Sequence, residues 1–175
     1  MIMDALLIFD GSVNSVGTLL GTVVNSGVSF TTSAGTDSAN IIDVSQIASS
    51  ASGKGRDVGI GDSPALQIAI EVMTAFAGTG ASLQILLQTA PDSGFGTPGS
   101  WSVLNMTPVM PVANLTVGQI TYLDIVPGVQ KFLKLTYVVT GANMTQGAVI
   151  AGMVLDRFLF GPNLGYPSGY SNQYV

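Results

Sequence analysis

The acidic residues of the segment KGRDVGIGD, residues 54–62, are the ones whose type and spacing could do chemistry. Asp57 and Asp62 would form a carboxylate pair or bind calcium, because hard cations prefer oxygen ligands. Their spacing does not match an EF-hand loop, which needs ligands at alternating positions and a terminal Glu. The glycines allow tight turns, and Lys54 or Arg56 is available to pair with either Asp. We therefore favour a structural turn in this segment and expect no metal.

The chain contains no histidine and no cysteine. The first absence excludes a Ser–His–Asp arrangement and removes the commonest metal ligand, and the second excludes disulfides and thiolate chemistry. A two-carboxylate glycosidase site needs two acidic groups at a defined separation. The only Glu, Glu71, lies on the polar side of an alternating segment. The composition therefore predicts a protein that is not an enzyme and needs no cofactor.

Charged residues are scarce in this chain. They make up 9% of the 175 residues, against about 25% in ordinary soluble domains. A folded monomer of this size exposes on the order of 8,000 Å², so its surface has little charge to protect it against association. Two explanations remain open. Either a coat of Ser, Thr, Asn, Gln and Gly keeps the protein soluble, or partner subunits cover much of the surface.

The charges that are present also restrict the partners. The net charge is −5 and the five basic residues form no cluster, which argues against binding of nucleic acid. No run approaches the roughly 18 apolar residues of a membrane helix, so no membrane partner is expected. Asp4 and Asp10 lie where a signal peptide would carry positive charge. We expect a soluble chain that is made in the cytoplasm without a targeting signal.

Alternation of apolar and polar residues dominates from residue 64 onward and is typical of strands with one buried face. The clearest segments are 65–72, 82–89, 131–139 and 148–156. Shorter candidate strands lie at 18–24, 28–32, 40–44, 101–105 and 119–126. The alternation directs nine side chains into the core: Leu66, Ile68, Ile70, Leu83, Ile85, Leu87, Leu133, Leu135 and Tyr137. We expect Tyr122 to pack there as well.

Turn residues separate these segments, as in GTG at 78–80, PDSG at 91–94 and TPGS at 97–100. Short strands with turns between them favour an all-β fold, an antiparallel jelly roll or β-sandwich of about eight strands in two sheets. We expect a single domain over residues 1–160, with an N-terminal arm, and an extended C-terminal tail over 161–175.

Contacts with partners are expected at the two ends and in the long Gly/Ser-rich loop 45–63. If the strands lie where the alternation places them, residues 1–9 and 161–175 cannot enter the core. Both ends nevertheless carry more apolar area than a free tail normally shows. The candidate interface residues are Ile2, Leu6, Leu7, Phe9, Arg56, Asp57, Asp62, Leu164, Tyr166, Tyr170 and Tyr174. The alternative for the tail is that it folds back over its own sandwich and closes a sheet edge.

Five segments of the chain carry a resemblance to a known family. They are NIIDVS at 40–45, GRDVGIGDSPALQIAI at 55–70, LQTAPDSGF at 87–95, PGVQKFLKLTYVVTG at 127–141 and TQGAVIAGMVLD at 145–156. In this order the chain resembles the capsid cement, or decoration, proteins of tailed bacteriophages, which have a jelly-roll fold. The most specific parts are the RD-x-G-x-G-D run before a strand and the later strand that begins at PG.

The resemblance implies a structural protein of the virion, made in the cytoplasm of the bacterial host. Such a protein would bind the outer surface of the capsid and bridge neighbouring major capsid subunits. It would also associate with itself, as a homodimer in preference to a homotrimer. A candidate from another class is a β-sandwich adhesin or carbohydrate-binding module of a phage fibre or cell surface. That protein would present aromatic platforms, from Trp101 or the tyrosines.

Deleting residues 161–175 tests the role assigned to the tail. We expect the truncated chain to unfold at a temperature close to that of the full chain, because the tail is placed outside the core. Oligomerisation or capsid binding should weaken, since ordering a tail costs about 1–2 kcal/mol per residue and a partner has to supply it. Thermal melting and sedimentation measure the two effects. Outright unfolding of the truncated chain would make the tail part of the fold.

Overall fold

The computed structural model describes residues 7–13, 19–20, 22–23, 35–44 and 66–155, and these residues are almost all in strands, turns and short loops. In chain order the strands are β1 (Ile8–Asp10), β2 (Ser12–Val13), β3 (Leu19–Leu20), β4 (Thr22–Val23), β5 (Thr36–Asp37), β6 (Ile42–Asp43), β7 (Leu66–Ala77), β8 (Ser82–Ala90), β9 (Ser102–Met106), β10 (Met110–Pro111), β11 (Ile120–Asp124), β12 (Phe132–Thr140) and β13 (Gln146–Leu155). One 3-10 turn, Val112–Asn114, follows β10.

The four segments with the clearest alternation are the four longest strands, β7, β8, β12 and β13. Strand β7 continues to Ala77, five residues beyond the predicted end, because its last residues pair with the start of β13. The shorter predictions at 40–44, 101–105 and 119–126 correspond to β6, β9 and β11. The segment predicted at 28–32 lies outside the described residues.

The long strands are the inner strands of two antiparallel sheets. The first sheet has the order β1-β13-β7-β11, and β4 pairs with β13 beyond β1. The second sheet has the order β10-β8-β12-β5, with β6 also on β12 and β9 also on β8. Strands β2 and β3 form a separate two-stranded ribbon that lies between β1 and β4 in the sequence.

The connections between the sheets follow a jelly roll. The pairs β1/β4, β5/β6 and β9/β10 each occupy one edge position, which leaves eight positions in total. In chain order the first, third, sixth and eighth positions lie in the first sheet, and the second, fourth, fifth and seventh lie in the second sheet. The first position pairs with the eighth, and the second pairs with the seventh. This is the double-sheet arrangement of a jelly roll, and it confirms the predicted fold class.

The core lies between the two sheets and contains the residues that the alternation directs inward. Eight of the nine predicted core residues are at most 2% exposed: Ile68, Ile70, Leu83, Ile85, Leu87, Leu133, Leu135 and Tyr137. The side chain of Leu66, the ninth predicted core residue, lies outside the described part. Strand β13 departs from its predicted single buried face, because Ile150 and Val154 are buried on its outer side as well.

Two expectations about the core are wrong. Residues 1–9 were expected to stay outside it, yet Ile8 and Phe9 belong to β1 and the ring of Phe9 is completely buried in the core. A strand of three residues is too short to show the alternation from which the other strands are predicted. Tyr122 is only half-buried, because its neighbour Leu123 points into the core and the alternation of β11 turns Tyr122 to the outer face.

A pair of adjacent leucines on β8 tests the register of this core. Leu87 is completely buried opposite Leu135, whereas Leu86 is half-buried on the outer face. Leu87→Ala should lower the free energy of unfolding by about 2–5 kcal/mol, and Leu86→Ala by about 1 kcal/mol or less. Urea unfolding of the two variants measures the difference. Equal losses would mean that β8 does not have this register.

Candidate interaction surfaces

Most of the predicted interface residues lie outside the described part of the chain. These are Ile2, Leu6, Arg56, Asp57, Asp62, Leu164, Tyr166, Tyr170 and Tyr174, and their roles stay predictions. Leu7 is half-buried against the core. Phe9 has no exposed surface, so its assignment to a partner interface is corrected to a core position.

The described residues offer few groups that could hold a ligand. Within those ranges, no three acidic, histidine or cysteine side chains come together in a group that could hold a metal ion. Every buried side-chain nitrogen or oxygen there has a hydrogen-bond partner, so no orphaned polar atom points to a ligand. No helix in these ranges has the length and apolar character of a membrane span.

One buried polar contact links the two sheets through the core. The hydroxyl group of Tyr137, on β12, donates a hydrogen bond of 2.5 Å to Oδ2 of Asp10, on β1. The backbone N–H of Ala39 donates to the other carboxylate oxygen of Asp10 at 2.9 Å. Asp10 and Tyr137 are almost completely buried. A carboxylate in this setting stabilises the fold only while its oxygens are hydrogen-bonded.

The segment 38–40 is held in place around this contact. Ser38 exchanges two hydrogen bonds with the backbone of Leu135, one from its own N–H and one to its hydroxyl oxygen. The backbone N–H of Asn40 donates to the carbonyl of Phe9, and its side-chain amide donates to the carbonyl of Ile8. The segment therefore ties β1 to β12, and the Asp10–Tyr137 contact is structural and closed to a substrate.

The outer face of the second sheet carries a cluster around Lys134. The Lys134 ammonium group lies 2.6 Å from Oδ2 of Asp37 and 4.6 Å from the centre of the Trp101 ring. The Thr136 hydroxyl donates to Oδ1 of the same Asp37 at 2.7 Å. Lys134 is 8% exposed, so its charge is largely removed from water and depends on these partners. One face of the Trp101 ring is thus occupied by the chain's own cation.

The segment 91–99, which we name the Phe95 loop, presents an aromatic ring to solvent. Phe95 is fully exposed, and it is the one non-glycine residue in the described part with a positive φ, at 55°. That φ lies in the left-handed region, which is uncommon for residues other than Gly, Asn and Asp. The turn signals at 91–94 and 97–100 predicted the loop but gave no sign that the apolar residue between them points outward.

Asp92 organises the Phe95 loop from within. Its Oδ1 accepts hydrogen bonds from the backbone N–H groups of Gly94 and Gly96, at 2.9 and 3.2 Å. Its Oδ2 lies 2.5 Å from the Lys131 ammonium group, in the segment before β12. The hydrogen bond from Lys131, followed by that from Gly94, lowers the pKa of the Asp92 carboxyl group. The carboxylate therefore stays charged and keeps the loop attached to the second sheet.

Backbone contacts close the Phe95 loop at its base. The N–H and hydroxyl groups of Ser93 both donate to the carbonyl of Thr97 at 2.9 Å. The N–H of Gly99 donates to the carbonyl of Pro91 at 2.8 Å. Together with the Asp92 contacts, these hydrogen bonds fix the backbone on both sides of Phe95. The ring is held out by an ordered loop.

Other large hydrophobic side chains of the described surface are also exposed. They are Ile41, Val103, Met106, Val109, Val117 and Ile120. At the opposite end of β8 from the Phe95 loop, an open cleft is lined mainly by small and apolar residues, among them Gly78, Ala81, Pro111 and Val112. Single exposed apolar residues are normal on a soluble protein, but in this chain few charges separate them.

Comparison with known proteins gives one family. The family model described as Bbp16 matches residues 25–153, well over half of the chain. The match includes β5 to β12, the Phe95 loop and most of β13. No curated protein matches the sequence.

Because the Tyr137 hydroxyl is buried, the free energy of unfolding depends on pH in the alkaline range. Burial, followed by the charge of Asp10 and the hydrogen bond to it, raises the pKa of Tyr137 well above its usual value of 10.0. The folded state therefore keeps the proton where the unfolded state releases it. The protonated Tyr137 hydroxyl therefore contributes its full stabilisation below about pH 10. That contribution is lost as the pH rises from there towards the pKa of Tyr137 in the folded state.

Tyr137→Phe tests this contact. At neutral pH the variant should lose about 1.5–3 kcal/mol of unfolding free energy, because Asp10 loses a hydrogen bond while it remains buried. Above about pH 10 the gap between wild type and variant should narrow, since phenylalanine has no proton to lose. Urea unfolding at several pH values measures both effects. A constant gap across the alkaline range would contradict the assignment.

Proposed function

We propose, from the premise that the chain belongs to the Bbp16 family, that this protein is a structural cement protein of a tailed-phage capsid. It would bind the outer surface of the head and bridge neighbouring major capsid subunits. The family name points to a phage protein, and the five segments that resemble cement proteins lie mostly within the matched residues.

The observation that carries the proposal is a surface with few charges and exposed apolar groups on an ordered scaffold. Seven large hydrophobic side chains of the described residues are exposed, including the ring of Phe95. In a chain with 9% charged residues, such groups favour contact with other proteins. A cement protein needs this kind of surface, because it must adhere to a lattice through many contacts and requires no reaction.

The charged side chains support a structural role in a second way. The two described basic residues are both used to brace the fold, Lys131 with Asp92 and Lys134 with Asp37. Asp10 is used to join the sheets through Tyr137. These groups are paired for rigidity, which suits a protein that has to hold its shape between two capsid subunits.

The proposed partners are the major capsid protein and a second copy of this chain, in a homodimer in preference to a homotrimer. Neither nucleic acid nor a membrane is proposed as a partner. Each contact with the shell need only be modest in affinity, because linked copies that engage repeated sites gain avidity. The protein would be made in the host cytoplasm and reside on the outside of the virion.

The second class, a β-sandwich adhesin or carbohydrate-binding module, would need exposed aromatic rings beside polar groups. Trp101 has one face covered by Lys134, and Tyr122 is half-buried. Among the described aromatic residues Phe95 alone is exposed, and its loop offers no second ring. The described surface therefore favours the cement protein over this alternative.

Co-sedimentation tests the proposed function. Purified protein should pellet with phage heads that lack it, and binding should saturate at a fixed number of copies per head, because the sites repeat with the lattice. Heads that already carry their full complement should take up no more. Bound protein should also raise the temperature at which the shell breaks open. Protein that stays in the supernatant at every concentration, or that is retarded in a polysaccharide gel, would favour the second class.

A further inference from the structure

The Phe95 loop combines two features that folding does not explain. Phe95 adopts a left-handed backbone conformation, which glycine would adopt more easily. Its ring is fully exposed, so it gains no packing energy in return. Glycine stands on both sides, at Gly94 and Gly96, where φ is also positive. A bulky apolar residue at this position therefore costs the fold stability, and a contact outside the fold has to account for it.

The loop is also prepared for binding. The hydrogen bonds of Asp92 and Ser93 fix the backbone on both sides of the ring, and the ion pair with Lys131 attaches the loop to the second sheet. Because the loop is already ordered, it would lose little conformational entropy when a partner binds the ring, which lowers the entropic cost of association. A Phe ring buries on the order of 150 Å² or more, and aromatic anchors of this kind dominate many interfaces.

The charges around the ring define the partner's chemistry. Asp92 and Lys131 form an ion pair at the base of the loop, where the charge of Asp43 also acts on Lys131. The residues closest to Phe95 in sequence, Ser93 to Thr97, carry no charge. The surface that surrounds the ring therefore offers backbone groups, hydroxyls and apolar atoms. It complements an apolar pocket with an uncharged polar rim.

We propose that the ring of Phe95 inserts into such an apolar pocket on the major capsid subunit and is the main anchor of this protein on the shell. This inference rests on the proposed function and adds to it the residue and the chemistry of the contact. The ring fills the pocket, and the ordered loop determines the direction from which it enters.

A second copy of this chain offers a less suitable receptor. The open cleft around Ala81 and Val112 lies at the other end of β8, about 30 Å from the Phe95 loop along the strand. Insertion of the ring into that cleft would join copies head to tail. Such a contact does not close on itself in a dimer and leads to rings or open chains. It is therefore one of the outcomes that the experiment must distinguish.

The experiment compares head binding by wild type, Phe95→Ala, Phe95→Leu and a control, Thr116→Ala. Thr116 is exposed in the segment before β11, whereas the segment that braces the Phe95 loop follows β11. Phe95→Ala should weaken binding per site about 10- to 100-fold, and Phe95→Leu by less than about 10-fold. Thr116→Ala should bind as the wild type does. The wild-type affinity should be similar at about 50 mM and about 500 mM salt, because no unpaired charge takes part.

Two further variants separate anchoring from folding. Phe95→Gly should melt at or above the wild-type temperature and still lose binding, since glycine relieves the backbone strain and removes the ring. Asp92→Ala keeps the ring but removes the hydrogen bonds from Gly94 and Gly96 and the ion pair with Lys131. Its binding should therefore weaken, while its melting temperature should change little, because the lost ion pair is at the surface.

The outcomes are distinct. If the wild type does not bind heads, the proposed function fails. If the wild type binds and Phe95→Ala binds equally well, or if Thr116→Ala weakens binding as much as Phe95→Ala does, this inference is overturned. It is also overturned if the wild type self-associates in analytical ultracentrifugation without heads, and Phe95→Ala abolishes that self-association but binds heads as the wild type does. A loss of head binding confined to the Phe95 loop variants supports it.

Discussion

The hydrogen bond from Tyr137 to Asp10 is the contact on which the arrangement of the two sheets most depends. Hydrophobic packing holds the sheets together, but it does not specify which residue of one sheet faces which residue of the other. A buried carboxylate is more exacting, because it is stable only where donors meet it at the correct distance. Asp10 therefore fixes β1 against β12, and the segment 38–40 takes its position from both strands.

The two described lysines are also held by specific partners, at the surface. Each of the two described lysines combines a carboxylate partner with an aromatic neighbour: Lys131 with Asp92 and Phe132, and Lys134 with Asp37 and Trp101. A cation used in this way contributes to rigidity and adds little to the charge that water sees. The chain thus uses its described lysines to fix loops and edges, and the surface that remains carries few charges and is partly apolar.

The sequence predicts the fold well where a strand is long enough to show a period. The alternation in β7, β8 and β12 identified the fold class and directed the correct side chains inward, because the alternating large apolar side chains of those strands face the core. The same reasoning failed at Phe9, whose strand has three residues, and at Ile150, whose strand is buried on both sides. In both places the environment comes from neighbouring strands that are distant in sequence, and a local pattern carries no information about them.

The interaction surface was less predictable. Apolar residues near the ends suggested contacts there, and that reasoning treated an apolar side chain as available whenever it lay outside a recognised strand. For Phe9 this was mistaken. The sequence does not single out Phe95, because it is one apolar residue among turn residues and belongs to no alternating segment. What distinguishes it is its backbone angle and its exposure, and both arise only from the hydrogen bonds of the folded loop.

The distribution of strand lengths has a consequence for how the protein behaves at high concentration. Among the strands that the structure describes, the four long ones are all interior, and the edge positions are filled by pieces of two to five residues, such as β5 with β6 and β1 with β4. A continuous free edge would act as a template for the strand of another molecule, and natural proteins often block that edge with lysine or other charges. Here interruption of the edge takes the place of charge. A chain with few charged residues is thereby protected against the strand-by-strand growth that leads to amyloid-like aggregates, while its outer faces remain free for specific contacts.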